Sequence, residues 1–242
     1  AHGQKRPYVA PAEEDVRANI AQWQDLKFGM FIHWGTYSQL GVIESWTICP
    51  ELTEWEYKGR PEGMTYMEYL RFYEHLKDTF NPIHFDPDKW AEAAEYAGMK
   101  YVVFTTKHHD GFNMFDTNLT DYKVTDEGCP FHSNPRSNIA KEVFNSFRAK
   151  GLKAGAYFSI ADWHNNDYWW KFFSPKDRYI NYDPARWPEK MTSFEDYVES
   201  QVRELTNGDY GKIDLMWLDL CEISETYGSS RVELGRKFEE GF

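Results

Sequence analysis

Cysteine is scarce in this sequence, with three residues among 242, and no two cysteines are spaced as C-x-x-C. Cys49, Cys129 and Cys221 therefore lack the spacing of a structural zinc site, and an odd number argues against a disulfide framework. Long apolar runs are lacking as well, since none approaches the roughly 18 residues needed to span a bilayer. The sequence thus excludes a zinc-stapled or disulfide-stapled miniature domain and predicts no membrane-spanning segment.

Positive charge is also in short supply, because 27 Lys and Arg face 39 Asp and Glu and leave a net charge of −12. No cluster of basic residues offsets this balance, and an acidic chain repels phosphate backbones and anionic membrane surfaces. Neither nucleic acid nor a membrane is therefore expected as a partner. No internal repeat, low-complexity tract or long linker divides the chain, so we expect a single domain over residues 1–242.

The first residues, Ala1-His2-Gly3-Gln4, include neither an initiator Met nor an apolar signal core. A mature N-terminus left after signal cleavage has this form, as does a chain trimmed for expression. The first reading predicts a secreted or periplasmic protein, with a lysosomal compartment as an alternative.

What the sequence does contain is an alternation of strand and helix patterns. Near-continuous apolar runs predict four strands buried on both faces, as in a parallel sheet; these are residues 28–33, 101–106, 154–160 and 213–219. Apolar residues at helical spacing predict helices between them; these are residues 87–97, 138–150 and 193–206, the last with a capping-box spacing that begins at Ser193.

Polar side chains follow each predicted strand, and their position selects between two parallel architectures. They are His33, then Lys107-His108-His109-Asp110, then Asp162-Trp163-His164, and finally Asp219. Reactive residues at the carboxyl ends of parallel strands are typical of a (β/α)₈ TIM-like barrel. A Rossmann fold needs a G-x-G-x-x-G loop, which Gly29 and Gly35 do not form. Four strands are half of the eight in a closed barrel, so we expect this α/β barrel to be incomplete, with the domain truncated at its C-terminal end.

Asp219 is the sharpest candidate for catalysis, because a carboxylate that ends an apolar strand is costly to bury without a role. Capping a following helix is one such role. Attack on an anomeric carbon as the nucleophile of a retaining glycosidase is another, and it requires a second carboxyl roughly 5–5.5 Å away. Glu44, Asp162, Glu222 and Glu225 are open candidates for that second group.

The adjacent His108 and His109 suit either sugar hydroxyls or a buried pair bonded to the backbone. They are expected to point to opposite faces unless the chain turns there. A metal site is a further alternative; it would draw on His33, His108, His109, His164, Asp110 and Asp162, although the first strand lacks the H-x-H of metal-dependent barrel hydrolases.

Three stretches together resemble glycoside hydrolase family 29, the α-L-fucosidases. They are Phe28 to Gly35, Tyr101 to Phe112 with its Lys107-His108-His109-Asp110-Gly111-Phe112 motif, and Met216 to Asp219. The resemblance implies a retaining hydrolase without a cofactor or metal, with Asp219 as nucleophile. It implies fucose-binding roles for His33, His108, His109, Tyr157 and Trp217. Glu44 and Trp46 take the place of a Glu-Trp dipeptide of the family, with Ser45 inserted between them.

Two departures from the family accompany the resemblance. Leu220 follows the nucleophile where the family usually has Gly, and the family's acid/base Glu would fall beyond Phe242. The predicted function is hydrolysis of terminal α-L-fucose from a fucosylated oligosaccharide or glycoconjugate. A non-catalytic fucose-binding barrel and a metal-dependent barrel hydrolase are the alternatives.

Overall fold

A computed structural model describes residues 10–50 and 61–220 of the chain. Its sheet has four parallel strands in sequential order, β1 (Met30–Ile32), β2 (Tyr101–Lys107), β3 (Lys153–Ser159) and β4 (Leu215–Asp219). Each strand pairs with the one before it, which is the strand order of a (β/α) barrel and not of a doubly wound sheet. The predicted fold class and all four predicted strands are confirmed, and the described part of the chain forms an arc of such a barrel.

The register of the strands sets which side chains meet at the carboxyl edge of the sheet. Tyr157 of β3 lies beside Trp217 of β4, and Ser159 lies beside Asp219. On the other side of β3, the register shifts between Thr105 and Lys107, so that β2 is irregular just before its end. The parallel arrangement thus brings all the polar strand ends to one rim of the sheet.

Burial follows the prediction for the central strands and departs from it at the outer ones. After their first residue, β2 and β3 are buried along their whole length, as expected of strands covered on both faces. In contrast, β1 and β4 have half-buried residues and one exposed residue each, Phe31 and Trp217. Each of these two strands pairs with a single neighbour in the described sheet, so fewer side chains cover it.

The predicted helices are confirmed by α3 (Pro87–Tyr96), α4 (Ile139–Ala149) and α5 (Pro188–Thr206). Asp86 and Asn138 cap the first two by accepting hydrogen bonds from backbone amides. The helix α4 packs against β2 and β3, and its buried face carries the apolar residues seen in the sequence.

The predicted start of the last helix is wrong. The helix α5 begins at Pro188 rather than near Ser193, and the residue at its N-cap is Trp187. Proline is well suited to the first turn because it needs no hydrogen-bond acceptor there. The hydroxyl of Ser193 instead donates a 2.6 Å hydrogen bond to Asp167, so it ties the helix to the preceding loop.

Two helices were not predicted, α1 (Glu14–Leu26) and α2 (Tyr66–Glu74). A capping box between Thr65 and Glu68 opens α2. A short 3₁₀ helix, Glu44–Ile48, lies in the connection between β1 and α2 and carries Glu44 and Trp46. Among the described residues, none of the helices has both the length and the apolar character required to traverse a membrane.

Candidate active site

Asp219 ends β4 with its carboxylate held at two points and open to solvent. The hydroxyl of Tyr157 donates a 2.7 Å hydrogen bond to its Oδ2, and the backbone amide of Leu220 donates a 2.8 Å bond to its Oδ1. The side chain remains 43% exposed. A carboxylate that is oriented but accessible meets the geometric demand on a nucleophile.

The three predicted imidazoles, His33, His108 and His109, lie close to Asp219. We call the space that these four side chains border the hollow. The His109 Nε2 atom lies 3.9 Å from Asp219 Oδ2, the rings of His108 and His109 are 4.0 Å apart, and the ring of His33 lies 5.7 Å from that of His108. His108 and His109 follow the end of β2, where the chain turns and Gly111 adopts a φ of +76°. Strand alternation stops where this turn begins, so the exception expected for a turning chain applies and the two rings lie together.

The hydrogen bonds around His109 fix which of its ring nitrogens carries the proton. The Ser159 hydroxyl donates its single hydrogen to the Ala161 carbonyl at 2.7 Å. It must therefore accept from His109 Nδ1, which lies 2.6 Å away. Burial and the nearby His108 ring hold the pKa of His109 well below its ordinary value. His109 is thus neutral, and its Nε2 presents a lone pair toward the hollow beside Asp219.

Glu44 faces the other two imidazoles. Its carboxylate oxygens lie 3.1 Å from His108 Nε2 and 3.6 Å from His33 Nε2. The adjacent His108 lowers the pKa of Glu44, and His33 lowers it further, although burial opposes this. Glu44 has a φ of +51°, which is uncommon for a residue other than glycine and is typical of strained positions in functional sites.

Ser45, which separates Glu44 from Trp46, contributes a contact of its own. Its hydroxyl lies 2.6 Å from His108 Nδ1, so both nitrogens of that buried ring face polar groups of the same 3₁₀ helix. The ring of Trp46 packs edge-on against His109 at 5.0 Å, and the Arg178 guanidinium lies 5.0 Å from the Trp46 ring. Sequence reasoning did not identify Ser45 or Arg178 as parts of the site.

An aromatic wall completes the hollow. Trp217 and Tyr157 both lie near Phe31, with ring separations of 5.2 and 5.9 Å, and Phe31 lies 4.4 Å from the His33 ring. Phe31 was not among the predicted site residues. Strand alternation could have identified it, because residues two apart on a strand share a face and Phe31 precedes His33 by two.

The remaining polar residues of the strand ends have partners of their own away from the hollow. Asp162 accepts a 3.2 Å hydrogen bond from the fully buried Lys107, and Asp110 accepts a 2.7 Å bond from the Tyr73 hydroxyl. His164 pairs with Glu74 at 3.1 Å. Asp162 is therefore unsuited as the second carboxyl, and these residues form no joint metal site with the three imidazoles. Glu222 and Glu225 lie outside the described residues.

A smaller set of potential metal ligands does come together. One ligand atom from each of His33, Glu44 and His108 lies within 4.8 Å of the others. Two imidazoles and a carboxylate are a donor set that zinc accepts. The same atoms are the hydrogen-bonding groups that face the hollow, so any cation there would occupy the place of a polar ligand.

Carboxylates, imidazoles and aromatic rings thus gather at the carboxyl ends of parallel strands, which is where the active sites of barrel proteins lie. The chain belongs to the α-L-fucosidase family, whose family model matches residues 1–238. It is 27% identical over 234 residues to human plasma α-L-fucosidase, and the match covers 90% of this chain and 45% of that protein.

Solved structures show the same similarity in three dimensions. Isoenzyme 1 of α-L-fucosidase from Paenibacillus thiaminolyticus is 37% identical with a TM-score of 0.67, and the match covers 92% of this chain and 48% of that one. A family 29 α-L-fucosidase from Bacteroides thetaiotaomicron, solved as a trapped covalent intermediate with 2-fluoro-fucosyl fluoride, is 26% identical with a TM-score of 0.67 and coverages of 96% and 47%. The chain thus spans about half the length of these relatives.

Proposed function

We propose that this chain carries the nucleophile and sugar pocket of a retaining exo-α-L-fucosidase that removes terminal fucose from fucosylated glycans. The observation that carries the proposal is the placement of Asp219, oriented by Tyr157 and 3.9 Å from His109, in one hollow with His33 and His108. The covalent intermediate trapped in the relative from Bacteroides thetaiotaomicron supports a covalent route. Similarity to a plasma α-L-fucosidase supports a secreted protein.

In the proposed reaction, a carboxylate oxygen of Asp219 attacks C1 of fucose, and the bond from C1 to the glycosidic oxygen breaks. The leaving oxygen takes a proton from a general acid and departs with the aglycone. Water then attacks C1 of the glycosyl ester and gives a proton to the same group, which releases fucose with retained configuration and restores Asp219.

The pocket residues bind the hydroxyls of the sugar. His109 Nε2 accepts a hydrogen bond from one hydroxyl, while ionised Glu44 and the imidazoles of His33 and His108 bind others. Trp46, Trp217 and Tyr157 give the apolar faces of the ring an aromatic surface.

The general acid is proposed to be a carboxyl group outside the described residues, where Glu222 and Glu225 lie. Its pKa must be raised for it to hold a proton at neutral pH. The neighbouring His108 lowers the pKa of Glu44, and Asp162 is paired with Lys107. Neither therefore suits the role.

Covalent labelling tests the nucleophile without requiring the general acid, because fluoride departs from C1 without first taking up a proton. With 2-fluoro-fucosyl fluoride, we expect mass spectrometry of the native polypeptide to find one fluorofucosyl group on the peptide that contains Asp219. The Asp219→Asn variant should carry no label and should not hydrolyse an aryl α-L-fucoside. The matched control Asp196→Asn, an exposed position on α5, should behave as the unaltered protein.

Two results would overturn the assignment of Asp219: a label on another residue, or near-normal turnover by Asp219→Asn. Loss of turnover in the presence of a chelator would favour the metal-dependent alternative. Binding of fucose without turnover or labelling would favour the non-catalytic barrel.

A further inference from the structure

A second cavity, of about 330 Å³, lies between α2 and the loop that follows β3. We call it the aromatic pocket. One wall is a single face of α2, formed by Met67, Leu70, Arg71 and Glu74, whose spacing puts them on one side of the helix. The opposite wall is the loop segment 169–175 together with Trp163 and Asn181. The volume lies at the small end of the range of ligand pockets, about 300–1,000 Å³.

Trp163 connects this pocket to the active-site hollow. On one side its ring packs 5.1 Å from His109 and 5.5 Å from Trp46. On the other it stacks on Trp169 at 5.0 Å with the planes only 10° apart. Trp163 and Trp169 both line the aromatic pocket, so a single indole separates the two hollows.

The lining combines exposed aromatic surface with polar groups at its edge. Phe172 is 75% exposed, and Trp170 and Phe173 are half-buried beside it at 5.5 and 5.1 Å. Glu74 Oε1 lies 3.1 Å from His164 Nδ1, and Arg71 lines the same wall of the pocket. Flat apolar rings suit the apolar faces of a neutral pyranose, and a donor (Arg71) beside an acceptor (Glu74) suits its hydroxyls. Because these two groups carry opposite charges, the pocket suits a charged ligand less well.

We propose that the aromatic pocket is a subsite for a neutral hexose residue of the glycan from which the terminal fucose is removed. The inference rests on the proposed function for its role in catalysis, but sugar binding at the pocket does not require that hydrolysis occur. Phe172 is the residue through which it is tested, because it projects into solvent and its loss removes little packing.

The first measurement is binding of lactose to the native polypeptide by saturation-transfer NMR and calorimetry. Phe172→Ala should weaken lactose binding about fivefold, the order of one aromatic contact, whereas Phe172→Tyr should retain it. Tyr96→Ala removes another exposed ring, at the far end of α3, and should leave binding unchanged. This arm gives a result even if the protein hydrolyses no fucoside, so its failure is distinct from that of the proposed function.

The second measurement compares two substrates. Phe172→Ala should lower kcat/KM for a fucosylated lactose about fivefold and leave kcat/KM for α-L-fucosyl fluoride unchanged, because the single fluorine atom at C1 does not reach beyond the fucose site. Unaltered lactose binding in Phe172→Ala would overturn the subsite and leave the pocket as a surface for protein packing. An equal loss with both substrates would also overturn it, because the effect would then lie in the fold or the fucose site.

Discussion

The Tyr157 hydroxyl donates a 2.7 Å hydrogen bond to Asp219 Oδ2 across two neighbouring strands of the sheet. Burial, and after it the charge of Asp219, raise the pKa of Tyr157, so the phenol stays protonated and serves as the donor. Tyr157 thus orients one carboxylate oxygen of Asp219 and does not lose its proton at ordinary pH. This relationship is the basis of the first prediction.

Tyr157→Phe removes that hydrogen bond and leaves the ring in place. Because a hydrogen bond to a charged group contributes about 1.5–3 kcal/mol, we expect kcat/KM for an aryl α-L-fucoside to fall roughly 10- to 100-fold. Tyr182→Phe, which removes a hydroxyl bonded to the Asp167 carbonyl, is the matched control and should leave kcat/KM unchanged. Unaltered kinetics in Tyr157→Phe would contradict an orienting role for the phenol.

Leu220→Gly should stabilise the protein. Leu220 has a φ of +46°, where a side chain costs roughly 1–2 kcal/mol. The greater freedom of glycine in the unfolded chain and the lost packing of the half-buried leucine against the core both offset part of the gain, so the free energy of unfolding should rise by about 0.5 kcal/mol at most.

Urea denaturation measures that change. Gly98→Ala is the reverse control, because Gly98 has a φ of +78° and open space around it, so a methyl group there reports only the backbone cost. A decrease in stability for Leu220→Gly would show that the packing of the leucine side chain outweighs the strain of its backbone.

Acid should destabilise the protein through its buried imidazoles. Burial lowers the pKa of His109 and His33 in the folded state, while in the unfolded chain both titrate near their usual value of about 6.5. Below that pH the unfolded state binds protons that the folded state refuses, so this stability is present above about pH 6.5 and is lost as the pH falls.

The measurement is the free energy of unfolding as a function of pH. His109→Asn keeps a donor toward Ser159 but removes one titrating group, so the decline between about pH 7 and 5 should be shallower. His84→Asn, at an exposed position outside the hollow, should retain the original slope. An identical slope in His109→Asn would refute the assignment of a neutral, buried ring.

Lys107→Met should be strongly destabilising. Lys107 is fully buried, 3.2 Å from Asp162 and 3.1 Å from the Gln201 side-chain oxygen, with its ammonium 4.2 Å from the Phe158 ring. Removing it leaves Asp162 as an unpaired buried charge, which costs about 3–5 kcal/mol in the free energy of unfolding.

The matched control for that variant is Lys212→Met, since Lys212 is 77% exposed and lies 3.4 Å from Asp214. A surface pair of this kind contributes about 1 kcal/mol at most. Urea denaturation of the two variants in parallel gives their free energies of unfolding. An equally small decrease in both variants would contradict the prediction.

Sequence patterns were sufficient for the sheet because parallel strands carry a strong local signal. The runs that became β2 and β3 are mostly apolar, and Gly98 and Gly151 stand two residues after the ends of α3 and α4. The same reasoning missed α2, and it placed the start of α5 five residues late, at Ser193 instead of Pro188. At that helix, a capping pattern and an N-terminal proline both had local support, and sequence spacing could not rank them.

By itself, the sequence determined the strand order, the polar rim and the identity of its main residues, because side chains at the ends of parallel strands must gather at one edge. Only the tertiary structure decided how they face one another. The turn at Gly111 brings His108 and His109 to the same side, the strained backbone of Glu44 turns its carboxylate toward both His108 and His33, and Ser159 sets the proton of His109. These arrangements depend on backbone angles and on contacts between distant segments, which residue types and spacing alone do not specify.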